Sequence, residues 1–120
     1  MSKVTIYHNP NCGTSRTVLA LLNERGEKPE VIEYLKTPPT REEIREIVRA
    51  SGGTLRDLLR QKGTPYDELG LGDPSLTDDQ LLDAIEKHPI LLNRPIVVTS
   101  LGARLCRPSE TVHEILPKQS

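Results

Sequence analysis

Tyr7-His8-Asn9-Pro10-Asn11-Cys12-Gly13-Thr14-Ser15-Arg16 is the stretch that decides the fold. Just ahead of it, the alternation Val4-Thr5-Ile6-Tyr7 predicts a short strand. Asn9-Pro10-Asn11 predicts a turn, because Pro10 drives Asn9 out of helical geometry. After Gly13, Thr14 and Ser15 are candidate helix caps, and the run Arg16 to Arg25 is helical in pattern. Cys12 therefore falls where a strand ends and a helix begins. Backbone N–H groups without intrahelical partners and the helix dipole both favour negative charge there, so a thiolate is stabilised over a thiol. Arg16 and a protonated His8 would act in the same direction.

Free cysteines are commonly small buried hydrophobes. The turn and cap residues on either side of Cys12 fit a reactive thiolate better. Cys12-Gly13-Thr14-Ser15 has the frame of a Cys-x-x-Cys redox motif with serine in place of the second sulfur. No disulfide can close inside it, so an oxidised Cys12 must be resolved by a thiol from elsewhere. Ser15 is placed to donate a hydrogen bond to the thiolate.

Outward from this stretch, the first strand is expected over Lys3 to His8, and the helix after it carries Val18, Leu19 and Leu22 on one face and ends at Gly26. Glu30 to Leu35 predicts a second strand, parallel to the first because a helix connects them. Thr37-Pro38-Pro39 marks a boundary. Thr40 to Glu43 forms a capping box, with Ile44, Ile47 and Val48 sharing the face of the helix it opens. Gly52-Gly53 breaks that helix, and Thr54 caps a brief one over Leu55 to Arg60. Gln61 to Ser75 contains Gly63, Pro65, Gly70, Gly72 and Pro74 and is expected to be mostly loop. Thr77 to Gln80 is a second capping box, for a helix running to His88. Pro95 to Ser100 and Ala103 to Arg107 predict a hairpin turning at Leu101-Gly102, with a final helix over Ser109 to Leu116. The order is strand-helix-strand, a helical middle, then strand-strand-helix.

A chain of 120 residues suits one domain with one core. Charge is balanced, with 16 Lys and Arg against 17 Asp and Glu and no basic block, which argues against nucleic acid or an anionic membrane as partner. The longest apolar run, Val18 to Leu22, is too short to cross a bilayer, and the first residues lack the apolar core of a signal peptide. Two cysteines 94 positions apart, Cys12 and Cys106, fit a reduced, cytoplasmic protein. With three tyrosines and no Trp or Phe, the core must be Leu, Ile and Val, and no aromatic platform exists for stacking bases. The three histidines are scattered and no cysteine pair has zinc spacing, so no metal is expected.

The element order, with a cysteine after the first strand, is the α/β thioredoxin-like arrangement (βαβ … ββα) with a helical insertion between its halves. The motifs sharpen it. His8-Asn-Pro-Asn-Cys12-Gly-Thr-Ser15-Arg16, Leu58-Leu59-Arg60, Pro65-Tyr66-Asp67-Glu68-Leu69-Gly70-Leu71, His88-Pro-Ile-Leu-Leu-Asn-Arg94-Pro95-Ile-Val-Val and Arg104-Leu-Cys106-Arg107-Pro-Ser-Glu110 resemble the glutaredoxin-coupled arsenate reductases of bacterial arsenical-resistance operons. The resemblance spans nearly the whole chain. It implies one thioredoxin-like domain over 1–120, with the insertion at about 38–90. It also implies reduction of arsenate to arsenite through a covalent Cys12–arsenic intermediate, for arsenic detoxification. No cofactor is bound in such enzymes; glutathione is the co-substrate and glutaredoxin the protein partner.

By the same resemblance Cys12 is the nucleophile, and Arg60, Arg94 and Arg107 form an oxyanion site around it. Guanidinium forks suit tetrahedral oxyanions, stay charged and bond several oxygens at once. For Arg60 a solvated charge at a helix C-terminus is a strong alternative. Arg94 and Arg107 flank the predicted hairpin, each next to a proline. The resemblance makes Arg94-Pro95 a cis peptide facing the cysteine, whereas by itself Pro95 reads as a trans residue opening a strand. His8 either supports catalysis, by lowering the thiol pKa or moving a proton, or makes a structural hydrogen bond. His88 and His113 read as surface or cap residues. Cys106 reads as a strand residue in the core, with a resolving thiol as its alternative.

Two other functions fit this superfamily. A non-enzymatic regulator that contacts RNA polymerase is one, although its redox-sensing form carries a cysteine at the place of Ser15. A glutathione-dependent reductase of mixed disulfides is the other; it would need Cys12 but not the three arginines. A phosphatase-type loop fails on spacing, since arginine would be needed at position 18, where the chain has Val18.

Overall fold

The computed structural model describes residues 3–116. The chain divides into two compact units, Met1–Thr37 with Arg94–Ser120, and Pro38–Asn93.

The first unit contains β1 (Thr5–His8), α1 (Gly13–Glu24), β2 (Glu30–Glu33), β3 (Ile96–Thr99), β4 (Gly102–Leu105) and a 3₁₀ segment, Ser109–Ile115. The four strands form one sheet in the order β2-β1-β3-β4. β1 pairs in parallel with β2, Ile6 opposite Val31, and antiparallel with β3, Ile6 opposite Val97; β3 pairs antiparallel with β4. This is the thioredoxin-like α/β fold, and the helical middle of the chain is inserted between β2 and β3. β1 has hydrogen-bonded neighbours on both edges, which suits the β-branched and aromatic residues Thr5, Ile6 and Tyr7. Its C-terminal end is therefore a fixed point from which the turn before α1 departs.

α1 buries Val18 and Leu22, one turn apart on the same face. They join Val4, Ile6, Val97, Cys106, Val112, Ile115 and Leu116 in one cluster. Fully burying a Val, Leu or Ile side chain contributes about 1.5–3 kcal/mol each. Thr99 closes the arrangement, its hydroxyl donating to the Ile115 carbonyl at 2.5 Å and holding the 3₁₀ segment against the sheet.

Several boundaries differ from the sequence expectation. α1 starts three residues early: Cys12, not Thr14 or Ser15, is its N-cap, with φ −101° and ψ 121°. The second strand stops at Glu33 rather than Leu35, where a turn donates Lys36 and Thr37 N–H groups to the Glu33 carbonyl. The hairpin turns at Ser100-Leu101, since Thr99 pairs with Gly102. Gly102 opens β4 at φ 143°, a backbone region that glycine alone adopts readily. The last segment is 3₁₀ rather than α-helical: Pro108 at its N-cap offers no side-chain acceptor, and β-branched Thr111 and Val112 weaken an α-helix.

The second unit holds α2 (Arg41–Ser51), a 3₁₀ turn (Leu55–Leu58), α3 (Asp78–Lys87) and a 3₁₀ turn (Pro89–Leu91). Both expected capping boxes are present, Thr40 with Glu43 and Thr77 with Gln80, and Thr54 with Asp57 forms a third. Gly52 stops α2 in the left-handed region at φ 73°. Arg41 on α2 pairs with Asp79, Asp83 and Glu86 on α3. The buried side chains include Ile44, Ile47, Leu55, Leu58, Leu81, Leu82 and Ile85. Residues Gln61 to Ser75 contain no helix or strand. The brief helix expected up to Arg60 ends at Leu58, because Leu59 turns extended and bridges Leu92.

Among the described residues, no helix is long and apolar enough to cross a membrane.

Candidate active site

Cys12 occupies the first corner after β1. Its N–H donates to the Asn9 carbonyl at 3.0 Å and its carbonyl accepts the Arg16 N–H at 3.0 Å, the first helical bond of α1. Asn9 builds the corner: its side-chain oxygen accepts the Asn11 N–H at 2.9 Å, and its own N–H donates to Ser15 Oγ at 3.1 Å. Asn9 is buried, and the sequence places it in the turn without giving its side chain a part. An asparagine two residues before an N–H it accepts is an Asx turn, and Asn9-Pro10-Asn11 carried that signal.

The thiol is half-buried and makes no side-chain cap bond to its helix. Arg107 Nη1 lies 3.5 Å from Cys12 Sγ and also donates to the Arg94 carbonyl at 3.1 Å. Burial pushes the Cys12 thiol up. The Ser15 N–H, the guanidinium groups of Arg107 and Arg94, and the Thr14 N–H outweigh it and bring the pKa below the ordinary thiol value. Cys12, Arg94 and Arg107 thus meet at the start of α1.

Ser15 lowers the thiol pKa through its backbone N–H, not through its hydroxyl. Its side chain is fully buried and turned the other way, where Oγ lies 2.6 Å from His8 Nδ1 and accepts the Asn9 N–H. The expected hydroxyl–thiolate bond is therefore not formed, because Ser15 Oγ is engaged by His8 and Asn9. His8 is buried at the end of β1. Its pKa is lowered, by burial first, against the Glu33 carboxylate, which raises it, and with the Arg16 guanidinium, which lowers it further. The protonated His8 expected to assist the thiolate is thus disfavoured, and the neutral ring acts as a hydrogen-bond partner of Ser15. Arg16 also departs from expectation: its Nη1 donates to the Pro10 carbonyl at 2.8 Å, tying the helix back to the turn.

Arg94-Pro95 and Arg107-Pro108 are both cis peptides. The second was not foreseen. Arg60 belongs to the Pro38–Asn93 unit. There its Nε donates to the Lys62 carbonyl at 3.0 Å and its Nη1 to Asn93 Oδ1 at 3.3 Å.

Cys106 lies just past the end of β4, fully buried, its N–H donating to the Pro95 carbonyl at 2.9 Å and its thiol touching the Arg104 carbonyl at 3.5 Å. Burial pushes its pKa up to about 12, with Glu114 acting in the same direction. His88 caps α3 and His113 is exposed in the last 3₁₀ segment. Among the described residues, no group of three or more His, Cys, Asp or Glu side chains is gathered to hold a metal.

The fold and the site define a thioredoxin-like protein with one half-buried thiol at a helix N-terminus, beside two guanidinium groups that lower its pKa. The ArsC family model matches residues 7–115. An arsenate reductase from Rhizobium meliloti is 60% identical over 114 residues, covering 95% of this chain and 81% of that protein. One from Escherichia coli is 56% identical over 117 residues, covering 98% of this chain and 83% of the relative. The solved structure of an arsenate reductase from Vibrio cholerae superposes with a TM-score of 0.90 at 48% identity, covering 95% of this chain and 98% of that one. The chain belongs to the ArsC family.

Proposed function

We propose that this protein reduces arsenate to arsenite for arsenic detoxification in the cytoplasm, with glutathione and glutaredoxin as the thiol donors. The observation that carries the reading is the 3.5 Å approach of Arg107 Nη1 to Cys12 Sγ at the N-terminus of α1. An unperturbed thiol is only about 3% ionised at neutral pH. The groups around Cys12 raise that fraction, and the same positive field favours an oxyanion beside the sulfur. Relatives named arsenate reductase at 56–60% identity support the substrate.

In this mechanism the Cys12 thiolate attacks arsenic(V); a sulfur–arsenic bond forms and one arsenic–oxygen bond breaks, the oxygen leaving as water after protonation. Glutathione adds its sulfur in the same way and a second oxygen leaves. A glutaredoxin thiolate then attacks the glutathione sulfur. The sulfur–arsenic electron pair stays on arsenic, which becomes trivalent, while the two thiols end as a mixed disulfide. Water hydrolyses the Cys12–arsenic bond and releases arsenite. The serine at position 15 explains the need for outside thiols, since the motif lacks its own second sulfur. Arg94 and Arg107 hold the oxyanion, and Arg60 is assigned to the same task by the family resemblance. His8 and Ser15 hold the corner in which Cys12 sits. No bound cofactor or metal takes part. The chain functions as one catalytic domain, with the Pro38–Asn93 unit as its insertion.

The test is NADPH consumption by the protein with glutathione, glutathione reductase and glutaredoxin. Arsenate-dependent consumption that disappears in Cys12→Ser is expected. Consumption independent of arsenate would point instead to a reductase of mixed disulfides, and none at all to a regulatory role.

A further inference from the structure

Beside the thiol, an open groove of about 700 Å³ is lined by Gly13, Thr14, Arg16, Thr17, Ser109 and Glu110, with Ala20 and Pro108 as its apolar part. The groove begins next to the chemistry. Gly13 follows Cys12 and Pro108 follows Arg107, and Cys12 and Arg107 touch each other. One residue step is about 3–4 Å along the chain.

The lining has both signs of charge. Arg16 uses Nη1 on the Pro10 carbonyl, and its Nη2 lies over Gly13, 3.8 Å from where a Cβ would stand. Glu110, exposed in the first turn of the last 3₁₀ segment, makes no ion pair among the described residues. Arg16 and Glu110 line one groove without pairing with each other, so each charge is open to a ligand. The Thr17 hydroxyl donates to the Gly13 carbonyl at 3.0 Å, which leaves Thr14 and Arg16 as side-chain donors and Thr17 Oγ1 as an acceptor. Donors on α1 and a carboxylate lining the same groove suit a zwitterion, not a simple anion.

We propose that this groove is the seat of the thiol co-substrate: a glutathione-type peptide, one carboxylate on Arg16 and Thr14, its ammonium on Glu110 and its sulfur toward Cys12. This inference rests on glutathione being the reductant; it adds where glutathione binds and which residues select it. The oxyanion and the peptide are then held by different arginines, Arg94 and Arg107 for the former and Arg16 for the latter.

The experiment varies glutathione and arsenate separately in the coupled assay, with unaltered protein, Arg16→Gln, Glu110→Gln and Glu110→Lys. Each single charge loss should raise the glutathione KM about threefold to fivefold, as expected for exposed charge contacts. Glu110→Lys should raise it further, and the arsenate KM should stay within about twofold in all three. With unaltered protein, S-methylglutathione, which cannot react, should inhibit competitively against glutathione and not against arsenate. It should also shift the amide resonances of Gly13, Thr14, Ser109 and Glu110 without any turnover. Turnover with glutathione but unchanged KM values and no shifts at these amides would overturn the groove assignment and leave the reductase reading standing. Absence of glutathione-supported turnover would overturn that reading, and the amide titration would still decide the groove.

Discussion

Arg107 Nη1 stands 3.5 Å from Cys12 Sγ and, from the same nitrogen, donates to the Arg94 carbonyl at 3.1 Å. One guanidinium thereby joins the sulfur to the backbone just before β3, although the two residues are 95 positions apart. A charge held at that distance favours the thiolate.

Cys12 should therefore ionise below the ordinary thiol value, and Arg107→Ala should move it up. Iodoacetamide alkylation of Cys12, followed against pH, reads the midpoint directly. The parent midpoint is expected well below about 8.5, the value of an unperturbed thiol. Removing Arg107 leaves burial opposed only by the two N–H groups and Arg94, so the midpoint should rise. A parent midpoint at or above the free-thiol value, or one indifferent to Arg107→Ala, would contradict the account of the site.

Cys106 should behave as its opposite. Fully buried and pushed up to about 12, it offers almost no thiolate near neutral pH. Native protein should take up one alkyl group per chain, on Cys12, while unfolded protein should take up two. Cys106→Ser should retain most arsenate turnover. A Cys12–Cys106 disulfide found by mass spectrometry during the cycle would overturn the external-thiol mechanism.

The buried His8–Ser15 contact makes a pH prediction of definite sign. The folded pKa of His8 lies below its unfolded value, so the native state binds this proton less readily than the unfolded chain. The contribution is fully present above about 6.5 and is lost as pH falls below that value toward the folded pKa. Urea unfolding between pH 8 and 5 should show stability falling on the acid side, and His8→Gln should flatten that part of the curve. Ser15→Ala should cost about 1–3 kcal/mol, because it strips the Asn9 N–H and His8 Nδ1 of their buried partner. An unchanged acid limb in His8→Gln would mean that His8 binds its proton equally well in the folded and unfolded states.

Much of this was legible in the residues, for physical reasons that also mark where legibility stopped. The strand Val4–Tyr7, the cap motifs at Thr40, Thr54 and Thr77 and the helix stop at Gly52 are local signals, and local signals survive folding. The position of Cys12 at a strand-to-helix corner was of this kind. The direction of the Ser15 side chain was not. Both the thiolate and His8 are reachable in sequence terms, and only the packing of β1 against α1 decides that Oγ faces His8. The neutral state of His8 likewise depends on burial, which the motif does not encode. Asn9 carried its Asx-turn signal openly but was masked by the stronger signal of Pro10. The pairing of Arg107 with Cys12 depends on the β3–β4 hairpin returning the chain, and no spacing rule contains that distance.

The arginines separate an oxyanion reductase from a general thiol reductase. If Arg60, Arg94 and Arg107 hold arsenate, each contributes charge-assisted bonds worth about 1.5–3 kcal/mol. They also offset the repulsion between an anion and a thiolate. Replacing any one by Ala should then lower kcat/KM for arsenate by about tenfold to a hundredfold. Lysine should restore only part of the loss, because an ammonium cannot reproduce the fork. Arg107→Ala carries a second cost through the thiolate, so its reaction with a neutral small mixed disulfide should also slow, in step with the Cys12 midpoint. Arg60→Ala is expected to act on the oxyanion and not on the thiolate. Its loss should fall on arsenate alone, and sulfate or phosphate should compete with arsenate in the parent protein. Equal losses on both substrates for Arg60→Ala would assign that arginine to the stability of its own unit, where it already bonds Lys62 and Asn93, and would move the mixed-disulfide reductase ahead as the function of the site.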